Sequence, residues 1–235
     1  MASLKNKTVF ITGASRGIGR AIAVALAREG CQVCINSRNK QQLLEVQREI
    51  QAFQVQAVPL AADLTRDDDL DNLVQSCGAI DYLINNAGWG TRAPVVRAKL
   101  EDWDRTFRLN LRAPMILAQK FLPAMIEKSE GAVINIGSIS GKTGEASGSA
   151  YAASKFGLIG FTQSLFEEVR EHNIKVAVIL PGFVDTPMIP PVKHLDRSRM
   201  IQAEDVAQTV LFILNAPATS CPVEITIRPQ RTPHR

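Results

Sequence analysis

Seven short apolar segments recur along the 235-residue chain, and each is separated from the next by a stretch long enough for a helix. Such segments, rich in Val, Ile and Leu without polar alternation, are typical of strands buried on both faces of a parallel sheet. The intervening stretches show helical spacing of apolar residues. Strand and helix in alternation predict βα units, whose right-handed crossovers build one doubly wound sheet with helices on both faces. The predicted strands are residues 8–12, 32–36, 56–59, 82–85, 132–136, 176–180 and 224–228.

The composition favours one domain over residues 1–235, because 46% of the residues are hydrophobic and no long linker divides the chain. No apolar run approaches the ~18–20 residues of a membrane-spanning helix, and the N-terminus lacks the pattern of a targeting peptide. We therefore expect a cytoplasmic protein without a membrane partner. The net charge of +4 comes from dispersed basic residues without an aromatic platform, which disfavours a nucleic-acid partner.

The cysteines and histidines indicate neither a disulfide framework nor a metal site. The four cysteines are few and scattered, and the three histidines have no metal-ligand spacing. Cys31 and Cys34 fall in a predicted strand region, where residues three apart point to opposite faces. We expect both to be small core residues and expect no bound metal.

A glycine-rich turn joins the first predicted strand to a helix, in the order Thr12-Gly13-Ala14-Ser15-Arg16-Gly17-Ile18-Gly19. Glycine lets the backbone approach a pyrophosphate, and a helix N-terminus offers unpaired N–H groups. Strand, turn and helix in this order predict a dinucleotide site in a Rossmann fold. NAD enzymes of this fold usually carry a carboxylate after the second strand, but here Ser37 and Arg38 follow it. A guanidinium can bind a 2′-phosphate that a carboxylate would repel.

Tyr151 and Lys155 lie four residues apart in a predicted helix, residues 150–169, and therefore share a face. A cation beside a phenol favours the phenolate, which would bring the pKa of the hydroxyl closer to neutrality. Ser138 follows the strand at residues 132–136, at the edge where open α/β sheets bind ligands. When hydride reaches a carbonyl carbon, one hydroxyl can supply a proton to the oxygen while a second donor stabilises its charge. Tyr151 and Ser138 fit those two roles.

Several motifs, in register over residues 5–228, resemble those of the classical short-chain dehydrogenase/reductase family. They are Thr12-Gly13-x-x-x-Gly17-x-Gly19, Asn85-Asn86-Ala87-Gly88, Asn110, Ser138, Tyr151-Ala152-Ala153-Ser154-Lys155 and Pro181-Gly182. The resemblance implies that Tyr151 donates the proton and Ser138 orients the carbonyl oxygen. It implies that Lys155 binds the nicotinamide ribose and lowers the pKa of Tyr151. Asn110 would hold the water that reloads the proton relay.

The same resemblance implies an NADP(H) site. Arg16 and Arg38 would select the 2′-phosphate, and Asp63 would contact the adenine, although a helix-capping role for Asp63 is equally open. The turn at residues 181–186 would hold the nicotinamide carboxamide. The expected cofactor-binding residues are Gly13, Ser15, Arg16, Gly17, Ile18, Gly19, Ser37, Arg38, Asp63, Leu64, Asn86, Ala87, Gly88, Tyr151, Lys155, Pro181, Gly182, Val184 and Thr186.

Residues 187–200 stand where the family closes over its substrate. This lid is short, so the cleft could admit small ketones and aldehydes or a long acyl thioester, and the sequence does not decide between them. Residues 89–91 and 139–141 are expected to line the pocket, and the tail at residues 229–235 is expected to be flexible. The helix at residues 150–169 is apolar around much of its circumference, and family members commonly associate through it, so we expect a homodimer or homotetramer.

The most favoured function is reduction of a ketone or aldehyde to an alcohol with NADPH. Two alternatives stay open. One is oxidation of a secondary alcohol. The other is a nucleotide-binding regulatory or scaffold protein without turnover, a class that usually shows loss of catalytic residues. A serine hydrolase is disfavoured, because it needs a histidine base beside Ser138 and the sequence places none there.

Overall fold

The computed structural model describes residues 4–189 and 195–234. The strands are β1 (Thr8–Ile11), β2 (Gln32–Ser37), β3 (Ala57–Ala61), β4 (Tyr82–Asn85), β5 (Gly131–Ile136), β6 (Ile174–Pro181) and β7 (Glu224–Ile227). They form a seven-stranded parallel sheet in the order β3-β2-β1-β4-β5-β6-β7. Each predicted strand overlaps one of these, and the predicted doubly wound α/β sheet is confirmed.

Helices cover both faces of the sheet. They are α1 (Gly17–Arg28), α2 (Lys40–Gln51), α3 (Asp67–Cys77), α4 (Leu100–Phe107), α5 (Ala113–Lys128), α6 (Ser149–Val169) and α7 (Ala203–Leu214). Apolar side chains of α1, α2 and α7 share one core cluster with the sheet, and those of α3, α5 and α6 share the other. No helix in the described part of the chain is long and apolar enough to cross a membrane.

Side-chain alternation along the strands explains the two clusters. In β1, Val9 and Ile11 join one core and Phe10 joins the other, because successive side chains of a strand point to opposite faces. Cys31 and Cys34 divide in the same way, one in each cluster, and both are buried free thiols. Their expected role as small core residues is confirmed.

The strand order changes direction at β1, where β2 lies on one side and β4 on the other. Ligands of open α/β sheets bind at the carboxyl ends of the strands beside such a reversal. The Thr12 hydroxyl joins the two turns at this point, because it accepts hydrogen bonds of 2.9 Å from the backbone N–H groups of both Asn86 and Ala87. The turn after β1 and the turn after β4 are therefore held as one unit.

A buried polar chain fixes α6 against the centre of the sheet. The Asn85 amide donates to Asn135 Oδ1 at 2.9 Å, and the Asn135 amide donates to Thr162 Oγ1 at 2.8 Å. Thr162 in turn donates to the Leu158 carbonyl within α6. Buried polar groups need such partners, so the chain links β4, β5 and α6 in one defined arrangement.

The tail, expected to be flexible, makes defined contacts over its described part. Pro233 is buried, and its carbonyl accepts a hydrogen bond of 2.7 Å from the Asp196 N–H. The His234 ring meets the Phe183 ring edge-on, with centroids 5.3 Å apart. These contacts place residues 233–234 against Phe183 and the second half of the expected lid, and the flexibility of the tail stays a prediction. Residues 190–194 of that lid, and residue 235, lie outside the described residues.

Candidate active site

The backbone is tightly packed at the glycine turn. Gly13 adopts a left-handed φ of +65°, and a Cβ atom there would lie 2.9 Å from the Ala87 Cα. A Cβ atom on Gly19 would collide with the Gly13 carbonyl and lie 2.5 Å from the Asn86 side-chain nitrogen. Only glycine fits these positions. L side chains rarely adopt the φ of Gly13, and neither position has space for a methyl group.

The turn leads directly into α1, whose first N–H groups face the space above the sheet edge. Arg16 precedes the helix in an extended conformation, and its side chain makes no capping hydrogen bond. The first turn of α1 contains no acidic residue. Unpaired N–H groups and the positive end of the helix dipole suit a phosphate. The residues at this turn therefore fit the pyrophosphate of a dinucleotide.

A cavity of about 510 Å³ opens at this edge of the sheet. The predicted site residues that line it are Gly13, Ser15, Arg16, Gly17, Ile18, Ser37, Arg38, Asp63, Leu64, Asn86, Ala87, Gly88, Ser138, Tyr151, Lys155, Pro181, Gly182, Val184 and Thr186. Two others, Gly19 and Asn110, lie behind its wall. The fold thus brings the expected nucleotide-binding and catalytic residues to one continuous cavity.

Asn110 braces the wall of the cavity. It is 1% exposed and lies in a single π-helical turn, Arg108–Arg112, between α4 and α5. Its Oδ1 accepts from the Trp89 N–H at 2.9 Å, while its amide donates to the Trp89 carbonyl at 2.8 Å and to Ser154 Oγ at 3.0 Å. Its side chain therefore ties the loop after β4 to α6. A role in holding a relay water stays a prediction.

Ser138, Tyr151 and Lys155 meet at the other end of the cavity. Lys155 is 3% exposed, and its Nζ donates to the Ile136 carbonyl at 2.8 Å and lies 5.8 Å from the centre of the Tyr151 ring. Burial lowers the pKa of Lys155 to about 8, because the charged form loses its hydration.

The pKa of Tyr151 moves upward. Burial raises it and outweighs the hydrogen bond with Ser138, which lowers it. Arg92 lowers it further and Glu145 raises it, both by their charge. Burial dominates, so the net shift is opposite to the lowering expected from Lys155. At neutral pH the phenol keeps its proton.

Asp63 is not the N-cap residue of α3, which is Arg66, and its contact with an adenine stays a prediction. It lines the cavity, and it also accepts hydrogen bonds from the Thr65 N–H at 3.0 Å and the Thr65 hydroxyl at 2.8 Å, in the turn that precedes α3. Its carboxylate lies 3.9 Å from the Arg38 guanidinium. Burial opposes ionisation of Asp63, yet the Thr65 hydrogen bonds and the charges of Arg38 and Arg105 outweigh it and lower its pKa.

Several lining residues were not anticipated as part of the site. They are Asn36, Asn39, Gln42, Ala62, Thr65, Arg92, Arg105, Leu109, Ile136, Gly137 and Glu145. Helical spacing could have indicated two of them, because Arg105 and Leu109 are four residues apart and share a face. Arg92 and Glu145 carry no such signal, since they come from separate loops that only the fold brings together.

The expected pocket lining is correct in part. Ile139 and Ser140 line the cavity, as do the lid residues Pro187, Met188 and Ile189, whereas residues 89–91 and Gly141 do not. Trp89 lies instead beneath Arg105, whose guanidinium carbon is 4.6 Å from the ring centre. Within residues 4–189 and 195–234, no group of three or more His, Cys, Asp or Glu side chains is arranged to hold a metal ion.

A parallel sheet with a glycine turn at its reversal point, and beside it a tyrosine paired with a buried lysine, defines a dinucleotide-dependent oxidoreductase site. A family profile of the short chain dehydrogenases matches residues 7–196, and the chain belongs to this family of oxidoreductases. An uncharacterized oxidoreductase of Staphylococcus aureus strain USA300 is 35% identical over 97% of this chain and 100% of its own length. An uncharacterized oxidoreductase of Staphylococcus epidermidis is 33% identical, also over 97% of this chain and 100% of its own length.

Solved structures with this fold include enzymes with a bound nucleotide. A metagenomic short-chain oxidoreductase in complex with NADP is 34% identical, with a TM-score of 0.85 over 98% of this chain and 100% of that one. A putative NAD(P)-dependent gluconate 5-dehydrogenase from Beutenbergia cavernae, with bound NADP, is 29% identical, with a TM-score of 0.87 over 95% and 96%. Acetoin dehydrogenase YohF from Salmonella typhimurium is 26% identical, with a TM-score of 0.86 over 97% and 99%.

Proposed function

We propose that the protein is an NADP(H)-dependent reductase that converts a ketone or aldehyde to an alcohol, with Tyr151 as the proton donor. The observation that carries this proposal is that Ser138, Tyr151 and Lys155 line the same cavity as the glycine turn. Two separate requirements, a nucleotide cradle and an acid for carbonyl chemistry, are met within one space.

The chain offers a contact for each part of the nucleotide. The backbone at Gly13 and the start of α1 would hold the pyrophosphate, and Arg16 and Arg38 would hold the 2′-phosphate. The turn after β6, with Val184 and Thr186, would hold the nicotinamide. When bound, the cofactor supplies the hydride. The NADP found in two similar structures supports this choice of cofactor.

The raised pKa of Tyr151 keeps its hydroxyl protonated at neutral pH, so it can give a proton to the carbonyl oxygen. Ser138, hydrogen-bonded to Tyr151, would donate to the same oxygen and hold it in place. Lys155, with a pKa near 8, is mostly charged at pH 7. Its buried positive charge would stabilise the phenolate that Tyr151 becomes after donation.

We propose that an ion pair at the cavity wall narrows the approach to Tyr151. Arg92 and Glu145, which both line the cavity, lie 2.7 Å apart, and the Ala93 N–H donates to the Ser147 carbonyl at 2.9 Å. These contacts join the loop after β4 to the loop before α6. The narrowed entrance favours a small or medium carbonyl compound over a long acyl thioester, and it serves equally for oxidation of the corresponding secondary alcohol.

We also propose that the protein is a homodimer or homotetramer assembled through α4, α5 and α6. Phe107, Met115 and Phe156 are 36%, 44% and 48% exposed on these elements. Burying such side chains against a second copy would remove apolar surface from water. Phe156→Glu should convert the assembly to monomers in size-exclusion chromatography with light scattering, whereas Phe212→Glu on α7 should leave this contact intact. A wild-type monomer would contradict the proposal.

Tyr151→Phe tests the reductase proposal directly. We expect the turnover of NADPH against a panel of ketones and aldehydes to fall about 10²- to 10⁴-fold, because the proton donor is lost. NADPH binding, measured by fluorescence titration, should stay close to that of the wild type. A variant with unchanged turnover would refute the role of Tyr151. A wild-type protein that binds NADPH but reduces no member of the panel would favour the scaffold alternative.

A further inference from the structure

Arg105, on α4, is a half-buried arginine that lines the cavity. Its guanidinium carbon lies 4.6 Å from the centre of the Trp89 ring, within the range of a cation–π contact. Asn110 binds both backbone polar groups of Trp89. The Trp89 N–H donates to Asn110 Oδ1 at 2.9 Å, and the Asn110 amide donates to the Trp89 carbonyl at 2.8 Å. A fixed aromatic ring thus supports Arg105 and limits the freedom of its side chain.

Arg105 pairs with no acidic side chain within residues 4–189 and 195–234. In the described part of the chain, no carboxylate lies within ion-pair distance of it, whereas Arg38, Arg92 and Arg112 pair with Asp63, Glu145 and Asp67, respectively. Removing a charge from water without a partner is costly. An unpaired, half-buried guanidinium at a cavity wall is therefore suited to an anion that enters the cavity.

The position of Arg105 points to the adenosine end of the cavity. Leu109, one turn further along the same helical face, lines the cavity as well. Arg38, Asp63 and Arg105 all line this cavity, and the charges of both arginines act on Asp63. Arg38 comes from the turn after β2 and Arg105 from α4, so the two reach the same region from separate elements.

In this part of the cavity wall, positively charged side chains outnumber negatively charged ones. Asp63 would repel a phosphate, and Arg38, 3.9 Å from it, is partly neutralised by it. Arg16, Arg38 and Arg105 against Asp63 leave a surplus of two positive charges. A phosphate monoester carries about −1.5 to −2 at pH 7.

We infer that Arg105 is a third arginine of the 2′-phosphate site, held in place by Trp89, and that it offsets Asp63 so that a dianionic phosphate on the adenosine ribose is bound. This inference rests on the proposed NADP(H) function and adds to it a specificity residue outside the glycine turn and the β2 turn. A guanidinium can contribute charge-assisted hydrogen bonds to such a phosphate.

The test compares two nucleotides that differ only in the 2′-phosphate. The dissociation constants of 2′,5′-ADP and 5′-AMP are measured by isothermal titration calorimetry for the wild type, Arg105→Gln and Arg108→Gln. Arg108 is exposed and lies outside the cavity lining. Arg108→Gln removes one positive charge, as Arg105→Gln does. Arg105→Gln should weaken the binding of 2′,5′-ADP about 10- to 100-fold, the range for hydrogen bonds to charged groups, and change the binding of 5′-AMP less than about 2-fold. Arg108→Gln should change both less than about 2-fold.

Two results would overturn the inference. One is an Arg105→Gln protein, folded by circular dichroism and thermal unfolding, whose affinity for 2′,5′-ADP is unchanged. The other is an equal loss for both nucleotides, which would assign Arg105 to the adenine or the 5′-phosphate. If the glutamine variant does not fold, Arg105→Lys replaces it and should weaken 2′,5′-ADP selectively, because an ammonium cannot form the fork of a guanidinium. A wild type that binds neither 2′,5′-ADP nor NADPH would instead reject the proposed function.

Discussion

Burial of the Lys155 ammonium in the site lowers the stability of the folded protein. Its ammonium is buried at 3% exposure with one backbone carbonyl as its partner, and burial lowers its pKa to about 8. The difference between this pKa and the ordinary pKa of lysine corresponds to a loss of roughly 3 kcal/mol in the free energy of unfolding at neutral pH. Charge at this position is useful only if a phenolate or a nucleotide ribose is to be stabilised nearby.

We therefore expect Lys155→Met to unfold at a higher temperature than the wild type at pH 7, although turnover is lost. Between about pH 8 and 10.5 the unfolded chain holds the lysine proton and the folded chain does not, so wild-type stability rises with pH over that range. The advantage of the methionine variant should accordingly shrink from pH 7 to pH 10 in thermal unfolding. A variant less stable than the wild type at pH 7 would contradict this account.

Among the elements, the β1–turn–α1 unit depends on close backbone packing. A Cβ atom on Gly19 would collide with the Gly13 carbonyl, and neither that carbonyl nor the Asn86 amide beside it can move without disturbing the turn after β4. The unit has to be rigid to present its N–H groups to a phosphate, and glycine at this contact makes such packing feasible.

Gly19→Ala should lower the free energy of unfolding by about 1–3 kcal/mol, as overpacking does, and should weaken NADPH binding. Gly144→Ala is the matched control, because a Cβ atom there meets nothing within 4 Å. We expect its stability to stay within about 0.5 kcal/mol of the wild type and its NADPH affinity to be unaffected. Chemical denaturation and fluorescence titration measure the two effects. Similar losses in both variants would show that close packing at Gly19 is not the cause.

In the whole molecule, Asp81 stabilises the sheet at the amino ends of β1 and β4, opposite the site. It is 8% exposed, accepts a 2.8 Å hydrogen bond from the Thr8 N–H, and pairs with Lys128 at the end of α5. Burial opposes its ionisation, yet these partners and Lys7 outweigh it and lower its pKa. One carboxylate thereby joins β1, β4 and α5 far from the cavity.

Asp81→Asn should destabilise the protein by roughly 1–3 kcal/mol at pH 7 while leaving NADPH affinity unchanged. A carboxyl group with a lowered pKa contributes stability above its unfolded value near 3.9 and loses it as the pH falls through the folded value. The difference between variant and wild type should therefore narrow as the pH drops below about 4. Denaturant unfolding at pH 7 and pH 3 measures the difference in the free energy of unfolding between the variant and the wild type. A larger difference at pH 3 than at pH 7 would contradict the prediction.

The sequence alone was sufficient for the sheet and for most of the site. Apolar strands buried on both faces have a local pattern, so β1 to β7 were predictable within a few residues. Residues such as Gly13, Tyr151 and Lys155 were found because their roles depend on spacing within one turn or one helix, which is a property of neighbouring residues.

Only the tertiary structure decided the properties that depend on burial and on contacts between distant segments. The upward shift of the Tyr151 pKa comes from desolvation in the assembled cavity, which no spacing encodes. The placing of Arg105 over Trp89, and the pairing of Arg92 with Glu145, join side chains from separate elements after the chain has crossed the sheet. Local periodicity determines which elements form, whereas the charge balance of the site arises where those elements meet.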